Sequence, residues 1–139
     1  MRVVANGSNN WSVLYSSIVF FERMLNAHRN VIACERSEDI VFTIARKKPE
    51  DVVRVLVVNA YTFGVADFYK ARSEFPEVTC IVLAGDWNAY TLDAKELANA
   101  ENIGLLLPKE LVAAIWREEP HKYFTKDRKG NPIYHTRVA

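Results

Sequence analysis

Two short basic clusters are the residues whose chemistry stands out first. Arg46-Lys47-Lys48 lies between two apolar runs, and Lys126, Arg128 and Lys129 interleave with Tyr123, Phe124 and Tyr134 near the C-terminus. Cationic heads beside aromatic rings are the groups that pair with phosphate and stack on bases, which makes DNA a candidate partner. The same residues also suit solvated loops, and the tail aromatics suit an oligomer arm or a hairpin folded back on its own domain. Other reactive types are dispersed. His28, His121 and His135 have no zinc-like spacing with each other or with cysteine. Cys34 and Cys80 sit inside apolar runs and read as buried thiols of a reducing compartment. Ser16-Ser17 lack a nucleophile elbow, and the five glycines form no phosphate loop. Trp87, Asn88 and Tyr90, just after Gly85-Asp86, make an aromatic loop that either caps the core edge or stacks on a partner.

The elements that must carry these residues belong to one domain spanning 1–139, with a core at about 11–116 and a basic, aromatic tail over 117–139. Half of the 139 residues are hydrophobic and a quarter are charged, which excludes wholesale disorder. No apolar run approaches the ~18 residues of a membrane span, and the first residues turn polar too early for a signal peptide. A cytoplasmic domain is expected. The net charge is +1; the tail carries six Lys/Arg against three acids and is +3, leaving about −2 for the body.

Helical spacing of Leu14, Ile18, Phe21, Leu25 and His28 predicts a helix over Asn10–Arg29, capped by Asn9 or Asn10 and closed by Asn30 in a left-handed conformation. Val31–Glu35, Ile40–Ala45 and Val52–Ala60 follow as strands with no room for a crossover helix, so they form an antiparallel meander. A helix over Gly64–Phe75, a strand over Thr79–Ala84, a helix over Leu92–Ala100 capped by Thr91, a strand over Ile103–Leu107 and a helix from Pro108 to Trp116 complete the order. The tail holds a turn at Lys129-Gly130-Asn131-Pro132 between two short extended pieces. This order is not the alternation of a flavodoxin-like or Rossmann domain. It implies an α/β fold with a central mixed sheet.

Four segments carry a resemblance. They are Phe21-Glu22-Arg23-Met24-Leu25, Glu38-Asp39-Ile40-Val41, the run VLVVNAYTFGV from Val55 to Val65, and the stretch from Ala84 to Val112 with Thr91, Ala94, Leu97, Ala98, Ile103 and Leu111. In order, they resemble the first-helix FE-x-x-L, the second-strand D-h-h, the third-strand V-E-C-K-x-Y and the T-x-x-A-x-x-x-A region of the Mrr-like branch of the restriction-endonuclease-like, PD-(D/E)xK superfamily. The resemblance implies an αβββαβ core with an extra C-terminal strand and helix. It also implies a site in which two acids hold Mg²⁺ or Mn²⁺ and a lysine stabilises developing charge. Asp39 matches the first acid and Glu22 the helix glutamate. The second acid and the lysine fall on Val57 and Asn59.

On that match a metal would be held weakly, by Asp39 and Glu22 alone. The expectation is therefore a catalytically degenerate domain that acts by binding DNA or a protein partner and needs no cofactor. Arg46, Lys47, Lys48, Lys126, Arg128 and Lys129 are its candidate nucleic-acid contacts. The alternative is an active Mg²⁺- or Mn²⁺-dependent endonuclease whose site has migrated to include Asp67 and Lys70. A further alternative is a structural or assembly subunit, such as a homodimer.

Overall fold

The structure, a computed structural model, describes residues 9–137. Helix α1 covers Tyr15–Ala27 and starts later than its apolar spacing predicts. Trp11 and Val13 are buried before it, held by Asn9, whose Oδ1 accepts from their backbone N–H groups at 3.1 and 3.0 Å. Ser12 between them has φ +57°, which no α-helix continues through. The expected closing role of Asn30 is also corrected. Its side chain is buried, donates to the carbonyls of Lys48 (2.8 Å) and Ile115 (2.9 Å), and accepts from the Lys48 N–H.

Strands β1 (Val31–Ser37), β2 (Val41–Arg46) and β3 (Val52–Val58) form the predicted antiparallel meander. After the short β4 (Thr62–Phe63) come α2 (Val65–Glu74), β5 (Cys80–Leu83), β6 (Ala89–Tyr90), α3 (Leu92–Ala100), β7 (Gly104–Leu106) and α4 (Pro108–Ala114). The sheet order is β1-β2-β3-β5-β7, with β3-β5 and β5-β7 parallel. Among the described residues the chain is thus an α/β fold with a five-stranded mixed sheet and four α-helices. Beyond α4, a single 3₁₀ turn at Pro120–Lys122 leads to a hairpin of β8 (Thr125–Lys126) and β9 (Pro132–Ile133). Gly130, at φ +86°, makes the reversal that a side chain would resist.

Local chemistry sets the helix starts. Thr91 Oγ1 accepts from the Ala94 N–H at 3.1 Å and opens α3 as its sequence predicts. Asp67 accepts from the Gly64 N–H at the start of α2, and Glu110 from the Leu107 N–H at the start of α4. Phe21 of α1 meets Phe42 of β2 with ring centroids 6.4 Å apart, and His28 Nε2 bonds the Val112 carbonyl at 2.8 Å, so α1 and α4 share one face of the sheet. Helices α2 and α3 pack together on the other face, over its parallel half. Val53 and Val55–Val58 of β3 are all buried, which fits a strand covered on both sides.

Arg46, expected among the phosphate contacts, is only 1 % exposed and holds the fold together. Its Nε and Nη2 reach the two Asp51 oxygens at 2.7 Å each. Its Nη1 donates to the carbonyls of Ile115 (3.0 Å) and Arg117 (2.6 Å), and Nη2 also to Glu118 (3.3 Å). One guanidinium therefore joins the β2–β3 turn to the end of α4. Replacing Arg46 with Met leaves those carbonyls and a carboxylate without their donor, and is expected to cost about 3 kcal/mol. Urea denaturation of the variant at neutral pH, compared with wild type, measures it.

Candidate functional site

The turn between β1 and β2 places Asp39. Glu38 and Asp39 both have positive φ (+51° and +68°), a conformation that aspartate tolerates better than glutamate. The turn buries the Asp39 carboxylate under the N-terminal loop, where the residue is 1 % exposed. Asn9 Nδ2 donates to Oδ2 at 2.8 Å, and Arg36 Nη1 donates to Oδ1 at 3.0 Å and to the Asp39 carbonyl at 3.2 Å. The same guanidinium reaches Glu22 Oε2 on α1, its Nε standing 3.4 Å away. Asp39 and Glu22, the two acids singled out in the sequence, are thus brought together, and the cation between them is Arg36.

This donor set does not fit Mg²⁺ or Mn²⁺. A divalent ion of that size takes carboxylate oxygens at about 2.1 Å, and a fixed cation beside those oxygens repels it. Here Asp39 receives N–H groups on both oxygens, and a fixed positive charge already occupies the space facing Glu22. The third strand adds no ligand. Val57 is fully buried among apolar side chains. Asn59 is a structural junction whose Nδ2 donates to the Ser12 carbonyl at 2.9 Å, while its Oδ1 accepts from Trp87 Nε1 and Asn88 Nδ2 at 3.0 Å each. Gly85 lets this junction close, since a Cβ there would run into the Trp87 ring.

Asp67 and Lys70 are used elsewhere. Asp67 closes the start of α2, and Lys70 Nζ lies 4.3 Å from the centroid of the Trp11 ring. Trp11 in turn donates its Nε1–H to Glu74 at 3.0 Å, so this group anchors α2 to the N-terminal loop. Among the described residues no hydrogen bond or ion pair joins Asp67 or Lys70 to Asp39.

The basic residues fare differently from one another. Lys47, Lys48, Lys126, Arg128 and Lys129 are exposed. The contacts of Arg46 and Asn30 set the Lys47-Lys48 turn beside Ile115–Glu118. Arg117, Lys122 and Lys126 line a cavity of about 430 Å³ there, together with Tyr123, Phe124, Glu118 and Glu119. Clusters some seventy residues apart in the chain therefore meet at one end of the molecule.

A second buried polar cluster carried no signal recognised in the sequence. Lys95 is 2 % exposed, donates from Nζ to the Leu105 carbonyl at 2.6 Å, and lies over the rings of Tyr90 and Phe124. Burial lowers its pKa, while the nearby Glu110 carboxylate opposes that fall. Glu110, also buried, accepts from Thr125 Oγ1 at 2.9 Å, and His135 Nε2 stands 3.9 Å from it. The tail closes this cluster by pairing with β6. Tyr90 bridges Thr136, and its hydroxyl accepts from the His135 N–H at 3.1 Å. Leu107-Pro108-Lys109-Glu110 was the available signal, because a glutamate three residues after a helix start turns back onto the backbone. Compared with protein-family models, with curated proteins and with solved structures, the chain matches none.

Two groups near Lys95 set the response to alkali. Burial pushes the Cys80 thiol up to about 12, despite the opposing charges of Arg46 and Lys95. Burial also pushes the Tyr90 hydroxyl up to about 12, against the His135 N–H it accepts from, with Glu110 adding to the rise. Both are raised above their unfolded values of about 8.5 and 10, so their stabilisation is complete below pH ~8.5 and is lost as pH rises towards 12. Lys95, with its pKa lowered, acts in the opposite sense and adds stability as pH rises towards its unfolded value. The urea midpoint of wild type is expected to fall between about pH 9 and 11, and Cys80→Ala to lie lower at neutral pH with a shallower fall. Parallel curves for the two proteins would contradict this assignment.

Proposed function

We propose that this chain is a restriction-endonuclease-like domain that does not hydrolyse DNA and instead binds it through backbone phosphates. The observation that carries the reading is the Arg36 guanidinium set between Asp39 and Glu22, where the resemblance calls for a divalent metal. The order of helix, three-strand meander, helix and parallel strand is consistent with the superfamily core. Val57 and Asn59 at the acid and lysine positions leave no group to replace the metal's role. The migrated-site alternative is not favoured, because Asp67 and Lys70 already serve α2 and Trp11.

Binding is supported by the basic end of the molecule. Arg117, Lys122 and Lys126 line one cavity with Tyr123 and Phe124 and with Glu118 and Glu119, of which Glu119 pairs with Lys122 at 2.7 Å. Lys47 and Lys48 lie on the loop held beside Ile115–Glu118, and Arg128 and Lys129 are exposed on the terminal hairpin. Arg46 supports this surface from beneath and makes no contact of its own with a ligand. Cations spread over separate loops suit the repeating charge of a nucleic-acid backbone better than a single small anion.

Fluorescence anisotropy with a short duplex, over a salt series and with or without Mn²⁺, tests the reading. Binding is expected to weaken steeply with salt. Replacing Lys126 and Lys129 together with Ala is expected to lower the log–log slope by roughly one for each phosphate that a lysine had neutralised. The duplex is expected to stay intact in Mn²⁺. Absence of binding at low salt, or cleavage that requires Mn²⁺, would overturn the proposal.

A further inference from the structure

One face of the antiparallel half of the sheet is covered by α1; on the other, Val41 and Leu56 are buried and the rest is open. On the α1 side lie Arg36, Phe42 and Val55, which pair across the three strands and meet Phe21 and Glu22. The next row, Glu35–Thr43–Arg54, points the opposite way. It is flanked by Ala33–Ala45–Val52 on one side and by Ser37, Val41 and Leu56 on the other. Glu35 and Arg54 are exposed, neither side chain has a hydrogen-bond or ion-pair partner among the described residues, and Val52 is 50 % exposed. A groove of about 450 Å³ runs along this face, floored by Ser37, Val41, Thr43 and Arg54 and walled by Glu38 and by Glu74, Phe75, Pro76, Glu77 and Val78.

We infer that this open face of β1, β2 and β3 is a homodimer interface, occupied by the same face of a second copy. Its charge and shape are self-complementary. Glu35 lies one strand to one side of Thr43, and Arg54 one strand to the other, each about 4.8 Å away. A two-fold axis running along β2 beneath Thr43 turns the sheet over and exchanges left for right. Glu35 of each copy then lies opposite Arg54 of the other, and Thr43 opposite Thr43. The same operation sets the small Ala33 against the exposed Val52, and Ala45 against Ala45.

The small residues on this face let two sheets approach to the ordinary packing distance of about 10 Å. The open part of this face is small against the roughly 1,200 Å² at which specific interfaces begin, so the dimer is a weak one that forms at high protein concentration. Such an interface is isologous, so each charge change is felt twice.

Sedimentation velocity over roughly 5 to 200 µM reads the assembly, in the affinity range of a weak isologous pair. Wild type is expected to move from the 15.9 kDa chain towards twice that mass as concentration rises. Glu35→Arg alone sets arginine against arginine, and Arg54→Glu alone sets glutamate against glutamate; each is expected to weaken the dimer at least about tenfold. The double variant Glu35→Arg/Arg54→Glu restores opposite charges and is expected to dimerise as wild type does, which also demonstrates that the single variants fold. A wild type that stays monomeric at every concentration would overturn the inference and leave the face to a different partner. So would a dimer indifferent to the single changes, or a double variant no better than the singles. DNA binding by the basic end is read separately, because neither Glu35 nor Arg54 belongs to it.

Discussion

The strand at the centre of the sheet must be dry on both faces, and much else in the molecule follows from that constraint. β3 joins an antiparallel half to a parallel half, and its residues from Val55 to Val58 are all fully buried. A carboxylate at Val57 would lie in that core without water, at a cost of several kcal/mol unless a cation or metal met it. On the proposed reading, the stretch of β3 that would carry a nuclease's second acid is given to packing, and the polar groups lie at the sheet's margins, with Asp39 in a turn and the basic residues in loops.

Buried charge is handled in the same manner throughout. Three cations, the buried Arg46 and Lys95 and the partly buried Arg36, are each matched by fixed acceptors. Arg36 meets Asp39 and Glu22, Arg46 meets Asp51 and three carbonyls, and Lys95 meets the Leu105 carbonyl above two aromatic rings. Every pair also ties together parts of the chain distant in sequence. Arg36 links α1 to the β1–β2 turn, and Arg46 links the β2–β3 turn to the chain beyond α4. The Lys95 and Glu110 cluster is roofed by the C-terminal hairpin and by the segment that pairs with β6.

The order of elements was legible because apolar spacing and cap residues act locally. The meander, the Thr91 cap, the Pro108 start and the terminal turn all depend on neighbours within a few residues. What the sequence concealed depends on distant partners. The start of α1 is set by Asn9 reaching Trp11 and Val13, and the burial of Arg46 by carbonyls about seventy residues away. A basic triplet looks alike whether its first member faces solvent or the core; only the strand end at Arg46 distinguishes it from Lys47 and Lys48. Glu22 and Asp39, named from the sequence as candidate metal-site acids, both contact Arg36, whereas this cation, three residues before Asp39, carried no signal of its own.

The proposed function turns on the Arg36 guanidinium standing between Asp39 and Glu22, where that reading would otherwise place a divalent ion. Isothermal titration calorimetry of the full chain with Mn²⁺, on wild type and on Asp39→Asn, tests it most directly. No saturable heat is expected from either protein at millimolar Mn²⁺, a concentration at which a site with an affinity of about 1 mM or tighter would register. A single saturating site in wild type that disappears in Asp39→Asn would contradict this reading, and would mean that Arg36 gives way to the metal.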